Sequence, residues 1–252
     1  MIKNLITQNP LEKRLKQVPS RMVSIKLYYD LLSQPSRALY VFFRLMKIPF
    51  EACPVALKKG EHLTEEFKEK YNRFQKVPFI HDGDLKLSES VAIIRYIKRK
   101  FSDKIPDHWY PQDNFEQAKV DEYLEWQHLN TRAFCAVYFR DKFMVPMLTG
   151  QTPNPQIIKK REENLVAFLD QFEDLWLNQG HEYVVNNKIS IADLVAACEL
   201  EQPSAVGFDV TVGRPKLKAW IDKIRLECNP HYQDAHEIVY KLAKRNEPIP
   251  KL

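Results

Sequence analysis

Apolar and polar residues alternate over residues 23–29 and then give way to a three-to-four spacing, Ala38, Val41, Phe42 and Leu45. That change of period predicts a strand running into a helix within a few residues. Ser33 and Pro35 mark the helix start, and Ile48-Pro49 its end. Residues 50–57 read as a second strand, followed by the polar loop Lys58-Lys59-Gly60-Glu61-His62 and a short helix capped by Thr64. Phe79-Ile80-His81 and Leu85-Lys86-Leu87 flank the turn Asp82-Gly83-Asp84, which predicts a hairpin. Ser88-Glu89-Ser90 then opens a helix with Val91, Ile94, Ile97 and Phe101 at helical spacing. The predicted order is βαβαββα.

After Ser102 the periodicity lapses across Pro106 and Pro111, a linker, and from Asp113 onward it is helical throughout. Val120, Tyr123, Leu124 and Gln127 predict a long helix that bends or ends around Pro146; Leu165, Phe168, Leu169, Phe172 and Trp176 predict another. Phe134, Tyr138 and Phe139 have the spacing of a core stripe, with the lining of a substrate pocket as the alternative. Ile189-Ser190-Ile191-Ala192-Asp193-Leu194 has the form of a capping box with a hydrophobic staple, which assigns Ser190 and Asp193 to stability. Leu217, Trp220, Ile221 and Ile224 follow Arg214-Pro215 as a further helix, and Ala235, Ile238, Val239 and Leu242 form a last one. The division expected is a basic leader over 1–22, an α/β domain over 23–101, a linker over 102–112, an all-helical domain over 113–246 and a tail over 247–252.

Charge changes this picture little. The net charge is +5, but residues 1–22 carry Lys3, Lys13, Arg14, Lys16 and Arg21 against Glu12 alone, a net +4. The remainder is near neutral, so a nucleic-acid footprint is not expected. The leader is read as disordered or accessory, with Met22 a natural initiator. The four cysteines, Cys53, Cys135, Cys198 and Cys228, are far apart and form neither a disulfide framework nor a zinc pattern. A reducing compartment, no membrane span and no metal are expected.

Two stretches carry candidate chemistry. Ser33 stands where a helix presents unpaired N–H groups and the positive end of its dipole, so an anion is favoured beside its hydroxyl; a plain N-cap is the alternative. Pro78 must sit at a strand start or edge. A trans turn proline would satisfy that; a cis bond would in addition leave the Val77 N–H and C=O free to pair with an extended peptide.

Leu31-Leu32-Ser33-Gln34-Pro35, Lys76-Val77-Pro78 and Glu89-Ser90-Val91-Ala92-Ile93 come in that order. They are followed by Trp109-Tyr110-Pro111-Gln112-Asp113, Asp121-Glu122-Tyr123-Leu124 and Trp126-Gln127-His128. Together these resemble the active-site serine segment, glutathione-backbone loop, γ-glutamyl site, linker and next helix of theta-class glutathione S-transferases. The resemblance runs from Val23 to Lys244, thinning after Pro146.

It implies a thioredoxin-like α/β N-terminal domain, an all-α C-terminal domain and a cytoplasmic homodimer. Ser33-Gln34-Pro35-Ser36 stands where thioredoxin-like redox proteins carry C-x-x-C, so dithiol chemistry is absent there. Ser33 is implied to donate a hydrogen bond to the glutathione sulfur, favouring the thiolate of a thiol whose pKa of ~8.5 otherwise keeps it protonated. Glu89 would pair the γ-glutamyl amine, Ser90 with the helix N–H groups its carboxylate, His62 and Lys76 the glycyl carboxylate, and Val77 the cysteinyl backbone. Taken singly, each has a plainer role: dipole pairing for Glu89, capping for Ser90, and surface or loop positions for Lys76 and His62.

Arg132 resembles a theta arginine that would hold a leaving anion; a surface helix arginine is the alternative. Asn72-Arg73-Phe74-Gln75 departs from the Asn-Pro common in the family, which puts loop rigidity in question; Arg73 either helps the glycyl carboxylate or faces solvent, the second being the reading preferred. The short polar tail implies a more open electrophile pocket than in members with a longer C-terminal extension. The implied activity is conjugation of glutathione, as co-substrate, to small electrophiles such as alkyl halides, epoxides or activated esters, with peroxidase action on the side. A non-catalytic assembly module and a carrier of apolar ligands are the competing readings.

Overall fold

A computed structural model describes residues 25–246, with side chains to residue 244. The leader over 1–22 and the tail over 247–252 lie outside the described residues. The first half is β1 (Ile25–Tyr29), α1 (Gln34–Leu45), β2 (Phe50–Pro54), α2 (Glu65–Lys70), β3 (Phe79–Asp82), β4 (Leu85–Ser88) and α3 (Ser90–Lys100). The sheet order is β2-β1-β3-β4, with β2 parallel to β1 and the other pairs antiparallel. Leu27 is paired with Ala52 on one side and Ile80 on the other.

Strand alternation sorts the two faces. Ile25 and Leu27 enter the large core beneath α1 and α3, while Tyr28 joins Val55, Phe67 of α2 and Phe79 in a small one. Thr64 caps α2 by accepting from the Phe67 N–H at 3.1 Å. Gly83, at φ 61, supplies the left-handed residue that the two-residue hairpin turn needs.

The second half is helical: α4 (Asn114–Trp126), α5 (Thr131–Phe139), α6 (Val145–Thr149), α7 (Pro155–Phe172), α8 (Ile191–Leu200), α9 (Pro215–Cys228) and α10 (His231–Asn246). All ten residues of α8 are buried, because α1, α4, α5 and α9 surround it. The residues expected as a linker are themselves packed, with Ile105, Trp109 and Tyr110 in the core.

The single long helix expected toward Pro146 is broken earlier. Asn130 leaves helical geometry and its side-chain amide donates to the Trp126 carbonyl at 2.8 Å. The Arg132 N–H reaches back to Gln127 at 2.9 Å instead of its fourth neighbour. A side chain inserted into the ladder leaves the apolar period intact on both sides, so spacing alone does not reveal the break. Pro146 is instead accommodated near the start of α6, after a π turn over Arg140–Met144, and Gly150 at φ 70 ends that helix.

Asp193 works as the capping pattern predicts and reaches further. One carboxylate oxygen accepts from the Ser190 N–H and hydroxyl; the other accepts from the Val184 N–H at 2.8 Å and the Trp220 indole at 3.1 Å. Three segments therefore meet on one buried carboxylate.

Candidate active site

The turn ahead of α1 is tied by Asp30. Its carboxylate accepts from the Leu32 N–H at 2.8 Å and the Leu57 N–H at 3.0 Å, and its carbonyl accepts from the Ser33 N–H at 2.9 Å. Ser33 stands at the N-cap position with extended dihedrals, yet its hydroxyl makes no capping hydrogen bond. The half-buried hydroxyl is thus not committed to the first-turn amides, beside the positive end of the helix.

The loop between α2 and β3 is laced by Asn72. Its side-chain amide donates to the Lys76 carbonyl at 2.8 Å, and its oxygen accepts from the Phe74 N–H at 3.1 Å and the Ser88 hydroxyl at 3.0 Å. The Asn72 side chain thereby supplies the stiffness that a following proline would otherwise lend. Arg73 is exposed and stacks on Phe74. The Val77–Pro78 peptide is cis, and Phe79 begins β3 directly after it.

Glu89 has φ 68 and ψ 114, a backbone conformation that costs a non-glycine residue about 1–3 kcal/mol. It is the N-cap of α3, so its side chain stands ahead of the helix, while Ser90, buried, is the first helical residue. Arg132, from α5, donates through Nε to Glu199 of α8 at 2.8 Å, and its Nη1 lies 3.4 Å from the His128 ring. Glu199 is 1% exposed, and the Arg132 Nη2 has no hydrogen-bond partner. Burial and the Arg132 charge hold the His128 pKa below its ordinary value, against the opposing pull of Glu125, Glu89 and Glu199.

Ser33, Lys76, Val77, Pro78, Glu89, Ser90 and Arg132 line one cleft of about 260 Å³, together with Gln34, Pro35, Asn72, Phe74 and Ser88. The cleft carries hydroxyls at two helix N-termini, one carboxylate and two cations, a set suited to a polar ligand with separated charges. His62 is not on its lining. It sits on a 3-10 turn, Glu61–Leu63, where burial lowers its pKa against the pull of Asp30 and Glu61.

Sequence reading missed Asp30, Asn72 and Glu199, and gave no role to Arg37, which underlies the Ser33 turn. Asn72 and Asp30 act through local turns that any loop Asn or Asp could make. Arg37 did leave a signal: a cation in the first turn of a helix, among apolar neighbours, opposes the dipole.

Residues 25–99 match the family described as glutathione S-transferase, N-terminal domain, and residues 134–226 the corresponding C-terminal domain. Glutathione S-transferase theta-1 of Bos taurus is 43% identical over 227 residues, covering 90% of this chain and 92% of that protein. The theta-1 enzyme of Homo sapiens is 42% identical over 220 residues, covering 87% and 90%. The apo structure of human glutathione S-transferase T1-1 superposes with a TM-score of 0.82 at 41% identity, over 88% of this chain and 91% of that one. A human theta-class transferase in complex with the glutathione conjugate of 1-menaphthyl sulfate superposes at 0.80 and 34% identity, over 90% and 93%.

Proposed function

This chain belongs to the glutathione S-transferase family and its relatives are of the theta class, from which premise we propose that the cleft at the α1 and α3 N-termini binds glutathione and presents its sulfur to Ser33. The protein is a glutathione transferase, and glutathione is its co-substrate. The observation that carries the site reading is the convergence, on one cleft, of an uncommitted serine hydroxyl with Val77, Glu89 and Ser90, residues far apart along the chain.

In this reading the γ-glutamyl end lies at α3, its amine on Glu89 and its carboxylate against Ser90 and the helix N–H groups. The Val77 backbone pairs the cysteinyl residue, and Lys76 takes the glycyl carboxylate. His62, on the 3-10 turn Glu61–Leu63, joins Lys76 at that carboxylate. Ser33 then donates to the sulfur and stabilises the thiolate, which attacks an electrophilic carbon. Ser33 is a donor to the nucleophile and not itself one, so it needs no general base.

Arg132 receives the departing anion through its unpartnered Nη2. The sulfate ester named with the human theta-class complex supports activated esters as one substrate class, beside alkyl halides and epoxides. By its likeness to the theta class we propose a cytoplasmic homodimer. No helix among the described residues is long and apolar enough to cross a membrane.

Isothermal titration with glutathione, followed by ultraviolet titration of the bound thiol in wild type and Ser33→Ala, tests the reading. Binding with a thiolate midpoint that rises in Ser33→Ala is the expected result. Equal midpoints would make Ser33 a bystander, and no binding would favour an assembly module.

A further inference from the structure

Arg37 is a fully buried side chain at 0% exposure, in the first turn of α1. A cation there opposes the helix dipole and forgoes hydration, so its partners must compensate. Nη1 donates to the Leu31 carbonyl at 2.9 Å and the Leu32 carbonyl at 3.4 Å. Nη2 donates to the Cys198 carbonyl at 2.8 Å and the Gln202 amide oxygen at 2.6 Å. Each of these partners is neutral.

The neighbouring acid, Glu201, is occupied elsewhere. It accepts from Arg225 at 2.7 Å, Tyr232 at 3.1 Å and Tyr240 at 2.9 Å. Cys198 of α8 and His236 of α10, both fully buried, lie within reach of the Arg37 charge, as Glu199 and Glu201 lie within reach of Cys198, and no carboxylate among the described residues forms an ion pair with Arg37. Burial disfavours ionising Cys198 or His236. The guanidinium charge therefore stays unneutralised in a low-dielectric interior, where a charge acts over longer range than in water.

That charge is bonded to the turn that carries Ser33. The two carbonyls on Nη1 belong to the residues just before Ser33, and the Arg37 N–H donates to the Ser33 carbonyl at 3.0 Å. Through Nη2 the same side chain fastens this turn to the end of α8 and the turn after it, a sequence distance of 161 to 165 residues. We propose that Arg37 is a positioning residue for the thiolate site: its fork fixes the Leu31–Ser33 turn against the helical half, and its unneutralised charge favours an anion at the α1 N-terminus. This rests on the glutathione reading above.

Gln202→Glu separates this role from structural glue. The substitution is isosteric, keeps the acceptor on Nη2 and supplies the negative charge that Arg37 lacks. The readout is the thiolate midpoint of bound glutathione, by ultraviolet absorbance, with Ser33→Ala as reference. The expected rise in Gln202→Glu is roughly half to one pH unit, a three- to ten-fold loss of thiolate below the midpoint. Arg37→Gln, which removes the charge and keeps one donor, moves the midpoint the same way, and Arg37→Lys restores most of it; either series decides if the other does not fold. A folded Gln202→Glu or Arg37→Gln protein that binds glutathione with the wild-type midpoint overturns the proposal. If wild type binds no glutathione, or Ser33→Ala leaves its midpoint unmoved, the functional reading itself has failed, which the Arg37 variants alone would not bring about.

Discussion

Ser33 keeps an uncommitted hydroxyl because other groups hold its turn: Asp30 takes the amides before the helix, and Arg37 takes the carbonyls beneath it. An N-cap serine replaced by alanine commonly costs about 1 kcal/mol of stability. Here no capping bond exists to lose, so Ser33→Ala should unfold within about 0.5 kcal/mol of wild type in a urea titration. Its kcat/KM should nevertheless fall roughly ten- to hundred-fold, the worth of one hydrogen bond to a charged acceptor. A matched loss of stability and activity would point to a cap after all.

At the scale of elements, two polar side chains make ties that the backbone cannot. Asn72 joins the Lys76 carbonyl, the Phe74 N–H and the Ser88 hydroxyl, and so fixes the loop that leads to Val77 against the end of β4. Asn72→Ala should cost about 1–3 kcal/mol and weaken glutathione binding, readable by thermal unfolding and titration calorimetry. Asp193 binds the start of α8 to the Val184 loop and to Trp220 of α9. Removing it leaves buried N–H donors unpaired, so Asp193→Ala should cost about 2–4 kcal/mol while the folded fraction turns over near the wild-type rate. A large loss of turnover in fully folded protein would assign Asp193 to the chemistry.

For the whole molecule, acid stability follows from carboxylates whose pKa differs between the folded and unfolded states. Burial pushes Asp82 up, but the hydrogen bonds from Lys100 and Tyr96 outweigh it and hold its pKa below the usual value. A carboxylate depressed in the folded state contributes stability above its unfolded pKa and loses it as pH falls through the folded one. Asp193 has the opposite sign, since burial raises its pKa despite its four hydrogen bonds; its protonation does not drive acid unfolding. Resistance to urea should therefore decline progressively below about pH 4, and Asp82→Asn should flatten that decline. An unchanged slope in the variant would place the acid sensitivity elsewhere.

Much of this architecture was legible in the chain itself. The order of strands and helices follows from the change between two- and three-to-four-residue spacing, since each element buries one face. The caps at Thr64 and Ser190 and the turn at Gly83 follow from local chemistry confined to a few residues. The order of motifs along the sequence points to Ser33, Val77, Glu89 and Ser90, and the fold brings them to one cleft. What only the tertiary structure decided involves which groups meet in space. The Asn130 break in the expected long helix, the unneutralised charge of Arg37 between Leu31 and Gln202, and the Arg132–Glu199 pair leave no periodic trace. A side chain's periodicity reports whether it is buried, but not which groups meet it inside, and those meetings settle where a charge acts and which hydroxyl stays free.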